Sequence, residues 1–226
     1  MEQKSKMLRH RYATVRTAGE EPVSYGGNQA WLSDADQRAF GCGLIAAADI
    51  LRYLGGAPAE LEKEKYLEEI NTLAGHFHLR GKLGINGFGL ARGMNKAFRK
   101  SGLPYRAKWS VGRRRLMRRL SEMLESDIPV LLSVGPGFFH KEERLPLYRK
   151  QADGTFQRVS SMRDHYVVVT GWERPEKGEP GQEDFGMLRI SSWGEMYYIS
   201  FDEYLGHVKK YDNFLFSSIL YIRAYG

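Results

Sequence analysis

Cysteine is almost absent from this sequence, because Cys42 is the only one in 226 residues. A single thiol excludes an intramolecular disulfide, which agrees with a reducing compartment. The sequence also lacks any tract of about 18 consecutive apolar residues, so it predicts no transmembrane helix. Its N-terminal segment, MEQKSKMLRHRYATVR, is charged and has no apolar core of the kind that a secretory signal needs. These absences predict a cytoplasmic protein.

Acidic residues are fewer than basic ones, with 27 Asp and Glu against 34 Lys and Arg, a net charge of +7. Part of the excess lies in GRRRLMRRL, where the arginines between Arg113 and Arg119 surround the inner stripe Leu116, Met117 and Leu120 of a short helix. No zinc-finger spacing or RNA-recognition signature accompanies this segment. We therefore favour a solvated helix face and expect no specific nucleic-acid partner. Binding to an acidic substrate or surface stays open.

The period of the apolar residues changes near the middle of the chain. Helical spacing predicts helices at Cys42–Tyr53, Glu60–Leu73 and about Gly89–Ser101, and a further helix through the arginine-rich segment to about Ser126. Short strand-like runs follow, with Asp153-Gly154 as a hairpin turn. The predicted strands are Val130–Val134, Leu145–Arg149, Thr155–Ser160, His165–Thr170, Met187–Ile190, Tyr197–Ser200 and Leu215–Ile222. We expect an α+β fold in one domain, with a helical lobe at 1–127 and an antiparallel β-sheet lobe at 128–226.

Cys42 stands where a loop becomes an apolar helix, in QRAFGCGLIAAADILRYL. The free N–H groups and the positive dipole end of such a helix lower a thiol pKa and make the sulfur nucleophilic. Gly41 and Gly43 flank the sulfur and leave access for a substrate carbonyl. Gln37 lies five positions earlier and supplies an amide that can donate to a developing oxyanion. The alternative is a cysteine that packs as a small buried hydrophobe, which would need neither the glycines nor the glutamine.

His165 opens an apolar strand in DHYVVVTGW. From the first residue of a strand, an imidazole can reach across a cleft to a helix N-terminus. There it can hold a thiolate as an ion pair and later protonate a leaving amine. The alternative is a sheet histidine that is hydrogen-bonded within the fold. His76 and His78 alternate around Phe77, but no third ligand stands at a metal-like spacing, so we expect no metal and no cofactor.

The ordered set Gln37, Cys42, His165 and SSWG at Ser191–Gly194 resembles the papain-like cysteine peptidases. The FGCG…YLGG helix, the IPVLLSV strand and HYVVVTGW are similar, more narrowly, to the bacteriocin-processing branch that cleaves double-glycine leaders. The resemblance extends over about 29–222. It implies a papain-like fold in which the cysteine and the histidine come from opposite lobes and a glutamine completes the oxyanion hole. Those roles fall here to Cys42, His165 and Gln37.

The third catalytic position departs from that family. An asparagine or aspartate normally begins the motif that reads SSWG here, and Ser191 takes its place. A serine hydroxyl can accept an imidazole N–H, but it is neutral and stabilises an imidazolium less than a carboxylate does. The resemblance therefore implies Ser191 as the residue that orients His165. Trp193 would shield that contact from water and, with Gly41 and Gly43, border the substrate cleft.

The expected function is that of a cysteine peptidase acting on peptide or isopeptide bonds of a peptide or protein substrate. Two alternatives remain from the sequence. The departure at Ser191 agrees with a peptide-binding module on the same fold that has lost turnover. Transglutaminase-like acyl transfer would use the same cysteine and histidine and differ only in the acceptor.

Overall fold

A computed structural model describes residues 5–17, 23–77, 84–135, 142–174 and 186–225. In these residues the helices are α1 (Ala35–Phe40), α2 (Cys42–Leu54), α3 (Lys63–Ala74), α4 (Gly87–Lys100), α5 (Leu116–Glu125) and α6 (Phe201–Tyr211). The strands are β1 (Ser5–Met7), β2 (Thr14–Arg16), β3 (Glu60–Glu62), β4 (Tyr105–Trp109), β5 (Val130–Val134), β6 (Leu145–Lys150), β7 (Phe156–Met162), β8 (His165–Glu173), β9 (Met187–Ser192), β10 (Glu195–Ser200) and β11 (Ile219–Ala224). No helix of these residues is both long and apolar enough to cross a membrane.

The larger sheet is antiparallel throughout, with the strand order β4-β11-β5-β8-β9-β10-β6-β7 and with β1 paired to the end of β8. A small parallel pair joins β2 to β3. Most helices precede this sheet in the chain and most of its strands follow them. The α+β class with an antiparallel sheet is therefore confirmed.

Several elements differ from the sequence-based prediction. The predicted strand at 215–222 begins only at Ile219, and the expected helix at Glu60 begins with the short strand β3. The helix α6 was not predicted at all, although its signals are present. Ser200 caps it by accepting from the Glu203 N–H, and its buried residues follow helical spacing.

The helix α2 lies at the centre of the molecule. Every residue from Gly43 to Ile50 is buried, and the helix packs against β8, β5, α3 and α4. Its apolar composition explains this position, because a helix that is hydrophobic all round has no face to offer water. The first residue of α2 is Cys42, so the packing of this helix fixes where the thiol lies.

A tight turn closes the hairpin between β9 and β10. Its two central residues, Trp193 and Gly194, have φ angles of 52° and 77°. A two-residue turn with positive φ at both positions is type I′, which matches the twist of the flanking strands. A tryptophan in this conformation is uncommon and strained. The turn holds the indole at the end of the sheet where β8 begins.

Two glycines inside helices provide a test of the packing. Replacing Gly206 in α6, where nothing lies within 4 Å of an added Cβ, should stabilise the protein by about 1 kcal/mol because alanine favours a helix. The same change at Gly93 in α4 would make the Cβ overlap two carbons of the Phe77 ring and should destabilise by about 1–3 kcal/mol. Urea unfolding of Gly206→Ala and Gly93→Ala measures both. Equal shifts in the two variants would contradict the packing of α4 on Phe77.

Candidate functional site

Cys42 is the first residue of α2, directly after Gly41, which separates this helix from α1. Its thiol is free, and part of the residue reaches the surface. The backbone N–H groups of Tyr166, Gly43 and Cys42 itself favour the thiolate, but burial is the larger effect and raises the pKa of the thiol. The prediction of a lowered pKa was therefore wrong, because it considered the helix terminus without the loss of solvent around the sulfur.

Cys42 lies in the wall of a small cavity of about 20 Å³, room for about one water molecule. Of the residues predicted for the site, His165, Ser191 and Trp193 line the same cavity. Gln37, Gly41 and Gly43 do not line it. The structure thus brings together residues from the start of α2, the start of β8 and the end of β9.

The His165 side chain is buried, and its imidazole stacks on the Trp193 indole with the ring centroids 4.5 Å apart. Its Nε2 atom lies 2.8 Å from the Ser192 Oγ atom. Burial lowers the pKa of His165 to about 4, so the imidazole is neutral at pH 7. In this environment an imidazolium has lost the water that would stabilise its charge.

No hydrogen bond joins the Cys42 thiol to the His165 ring among the described residues. Side chains alternate along a strand, and Tyr166 is the neighbour that faces α2, with its Cδ2 atom 3.2 Å from where a Gly43 Cβ would lie. The imidazole leaves β8 on the other face, toward Ser192. The ion pair expected from the sequence is therefore not formed in this structure.

The serine beside the imidazole is Ser192 and not Ser191. Ser191 donates its hydroxyl to the Tyr25 carbonyl at 2.8 Å. Because adjacent residues of a strand face opposite sides of the sheet, only one of the two serines can contact His165. The resemblance had placed the partner of His165 one residue too early, at Ser191. Trp193 does cover the ring, as its expected shielding role requires.

The glutamine beside Cys42 is Gln29 and not Gln37. Asp34 caps α1 by accepting from the Gln37 N–H, and Gln37 on this short helix does not line the cavity. Gln29 opens a short 3-10 turn capped by Asn28, and its side chain lines the cavity while donating to the Arg38 carbonyl at 2.7 Å. Spacing along the sequence could not reveal this, because α1 lies between Gln29 and Cys42.

The glycines on either side of Cys42 have another role than the one predicted. Both are buried. A Cβ at Gly41 would overlap the Gln37 carbonyl oxygen, and a Cβ at Gly43 would press on Leu90 and Tyr166. They allow α1, α4 and β8 to approach the start of α2 closely, and they do not open a path to the sulfur.

Comparison with known proteins finds no relative. No protein-family model, no curated protein and no solved structure gives a significant match to the chain. In the parts of the chain that the structure describes, no group of three or more His, Cys, Asp or Glu side chains is arranged to hold a metal ion. His78, one of the two histidines considered as a metal ligand, lies outside those parts.

Asp49 is a residue of this cavity that the sequence reasoning missed. It lies seven residues after Cys42 on α2 and is 1% exposed. Its Oδ1 atom accepts from the Tyr66 hydroxyl at 2.7 Å, and its Oδ2 atom accepts from the Tyr12 hydroxyl and the Gly27 N–H, each at 3.1 Å. Burial raises the pKa of Asp49 to about 6 in spite of these three donors. An aspartate in an otherwise apolar helix was the available signal.

The segment from Tyr25 to Gln29, here called the Gly-Gly loop, joins Asp49 to the hairpin turn. Gly27 binds the carboxylate, while the Tyr25 N–H donates to the Gly194 carbonyl at 2.7 Å. Asn28 donates its side-chain amide to the Trp193 carbonyl at 2.9 Å. The loop therefore holds Gln29 on one side of the cavity and the turn that carries the Trp193 indole on the other.

Asp49 and His165 act on stability in opposite directions. Folding raises the pKa of Asp49 from 3.8 to about 6, so the folded state binds more protons in this window and loses stability as the pH rises. Folding lowers the pKa of His165 from 6.5 to about 4, so the unfolded state binds more protons and stability is gained as the pH rises. Each pKa shift is about two units, which corresponds to roughly 3 kcal/mol in the free energy of unfolding.

Single substitutions should separate the two effects. Relative to the native chain, Asp49→Asn should gain stability by roughly 3 kcal/mol between pH 4 and 6, and His165→Gln should lose a similar amount. The measurement is urea unfolding at several pH values, read as the difference from the native chain, in which other titrating groups cancel. If both difference curves rise, or both fall, as the pH increases, the burial of one of the two groups is contradicted.

Proposed function

We propose that the chain is a cysteine peptidase of papain-like arrangement that hydrolyses peptide or isopeptide bonds. The observation that carries the proposal is the meeting of three groups at one cavity. These are a thiol on the first turn of a buried helix, an imidazole at the start of a sheet strand and the Gln29 amide. Nucleophile, base and oxyanion donor are the groups that acyl transfer through a thioester requires.

The chemistry follows from the neutral state of the pair. With His165 uncharged, one ring nitrogen can accept the thiol proton as the Cys42 sulfur attacks the carbonyl carbon. If Nε2 donates to the Ser192 hydroxyl, Nδ1 is the nitrogen that accepts. The tetrahedral oxyanion would be stabilised by the Cys42 N–H and the Gln29 amide. The imidazolium then protonates the leaving amine, and water attacks the thioester and releases the acid and the thiol.

The proposal requires the imidazole to approach the sulfur in the substrate complex. Hydrogen bonds between catalytic groups are often long before substrate binds and shorten only in the complex. The cavity itself is too small for a peptide. A groove of about 840 Å³ adjoins it at Trp193, with aromatic and apolar side chains such as Tyr25, Trp31, Met196 and Tyr198 in its wall. This groove is large enough for an extended segment of a peptide substrate.

A second candidate function is peptide binding without turnover. It is favoured by the raised pKa of the thiol and by the lack of a hydrogen bond between Cys42 and His165 in the described residues. The partner of His165 is also a neutral serine, which stabilises an imidazolium less than a carboxylate does. Both candidates use the same cavity and groove, so the formation of product distinguishes them.

Incubation with a peptide mixture that includes Gly-Gly sequences should yield cleaved products detectable by mass spectrometry. Cys42→Ala should abolish them, and His165→Ala should lower the rate by about 10²–10⁴ because the general base is lost. Both variants should bind peptide as the native chain does. Binding without any product would select the second function, and incorporation of an added amine in place of hydrolysis would show acyl transfer.

Two matched pairs of variants test the assignment inside the cavity. Gln29→Ala should lower kcat by about 10²–10³ because one oxyanion donor is lost, whereas Gln37→Ala should leave kcat unchanged. Ser192→Ala should alter the pH profile of kcat because the partner of His165 is removed, whereas Ser191→Ala should act mainly on stability through Tyr25. The assignment is wrong if Gln37→Ala changes kcat more than Gln29→Ala does, or if Ser191→Ala changes it more than Ser192→Ala does.

A further inference from the structure

Basic charge is concentrated in one stretch of the chain. The 52 residues from Ile70 to Ser121 contain 13 of the 34 lysines and arginines and none of the 27 acidic residues. The remainder of the chain therefore has 21 basic and 27 acidic residues, an excess of negative charge. The net charge of +7 thus arises from this one stretch.

The described part of this stretch contains the end of α3 and then α4, β4 and the beginning of α5. Of these elements, β4 is the edge strand of the larger sheet. Its exposed basic side chains include Arg92 and Lys96 on α4, Lys108 on β4, and Arg113 and Arg115 before α5. No carboxylate of the described residues forms an ion pair with any of these five. The surface has a strong positive potential that attracts anions.

Two arginines face each other across this edge. Arg106 of β4 stands directly opposite Arg223 of β11, and both side chains are exposed. Like charges at such positions destabilise a sheet. Arg106 and Lys108 alternate with the buried Ala107 and Trp109, so this pair lies on the face of β4 that turns away from Trp109 and adds to the positive charge of the edge.

Three large apolar side chains are exposed next to these cations. Phe88, Val111 and Leu215 are 56%, 51% and 43% exposed. They are close together because their segments all meet at Trp109. A Cβ on Gly87 would overlap the Trp109 ring, and the Trp109 Nε1–H donates to the Leu215 carbonyl at 2.7 Å.

We propose that this face binds the surface of an anionic lipid bilayer. Phe88, Val111 and Leu215 enter the interfacial region, and the neighbouring cations Arg92, Lys96, Arg113 and Arg115 contact the headgroup phosphates. Exposed apolar side chains ringed by cations gain both from burial between lipids and from the negative surface potential. A nucleic-acid backbone would use the cations but would offer nothing to two aliphatic side chains.

The proposed surface lies at the Cys42 end of the molecule. The strands β4, β11, β5 and β8 pair antiparallel in that order. The last residue of β4 and the first residue of β8 therefore lie at the same end of the strands. The Trp109 ring also packs edge-on against the Tyr166 ring, with centroids 6.5 Å apart, and Tyr166 lines the Cys42 cavity. A bilayer bound there would place the cavity close to substrates at its surface. The proposal stands whether or not Cys42 is catalytic.

Co-sedimentation of the full chain with phosphatidylcholine vesicles, with and without phosphatidylglycerol, tests the proposal. We expect binding only to the anionic vesicles. The double variant Arg113→Glu/Arg115→Glu should bind at least about 25-fold more weakly, since each basic residue near such a surface contributes about fivefold. Phe88→Ser/Leu215→Ser should weaken binding by about tenfold or more because the inserted apolar area is lost.

The matched control is Val159→Ser, which removes another exposed apolar side chain, 44% exposed, on β7 at the opposite edge of the sheet. It should bind like the native chain. Three results would overturn the proposal: no binding to the anionic vesicles at low salt, an apolar variant that binds as well as the native chain, or complete displacement from the vesicles by duplex DNA. Thermal unfolding verifies that each variant is folded, and Val111→Ser replaces the apolar double variant if that one is not. Peptide cleavage is a separate measurement, so failure of the peptidase proposal leaves this test intact.

Discussion

The hydrogen bonds of Asp49 determine how the cavity is assembled. One buried carboxyl group on α2 accepts from two tyrosines and from the Gly27 backbone, so it ties the Gly-Gly loop to the helix that begins with Cys42. The loop in turn holds the Trp193 turn through its own hydrogen bonds. Removing a buried acceptor leaves its donors unsatisfied, which costs about 1–3 kcal/mol for each. The position of Gln29 and of the Trp193 turn beside the sulfur therefore depends on this contact.

Burial, more than any pairwise charge, determines the protonation states in the cavity. It is the largest effect on Cys42, His165 and Asp49, and in each case it favours the neutral form. Desolvation acts in opposite directions on the pKa of an acid and of a base. The thiol and the imidazole are consequently both neutral at pH 7. A proton must then move between them during the reaction, and a resting ion pair is not available.

The sequence was sufficient for elements whose apolar pattern is local. The apolar run after Cys42 predicted α2, and the apolar run after His165 predicted β8, because each pattern lies within the segment itself. Gln29 and Ser192 could not be found in this way. Their positions depend on the cap that turns α1 and on the face that each residue of β9 presents. Both are set by tertiary packing, and an error of one residue along a strand moves a side chain to the other face.

Because the Cys42 thiol and the His165 imidazole are both neutral at rest, catalysis would depend more strongly on the groups that bind the oxyanion. Asp49 has a pKa of about 6, so at pH 7 it carries a negative charge in the same cavity wall, while burial of the sulfur raises the pKa of the Cys42 thiol and disfavours a thiolate there. The positive end of α2 opposes this effect only within its first turn. If the sulfur attacks as proposed, stabilisation has to come from donors that meet the developing oxyanion, because charge on the resting sulfur contributes little. Gln29 is such a donor, and the Asp49 contact to Gly27 holds the loop that carries it. The Asp49 carboxylate therefore fixes the donor that compensates for the neutral sulfur.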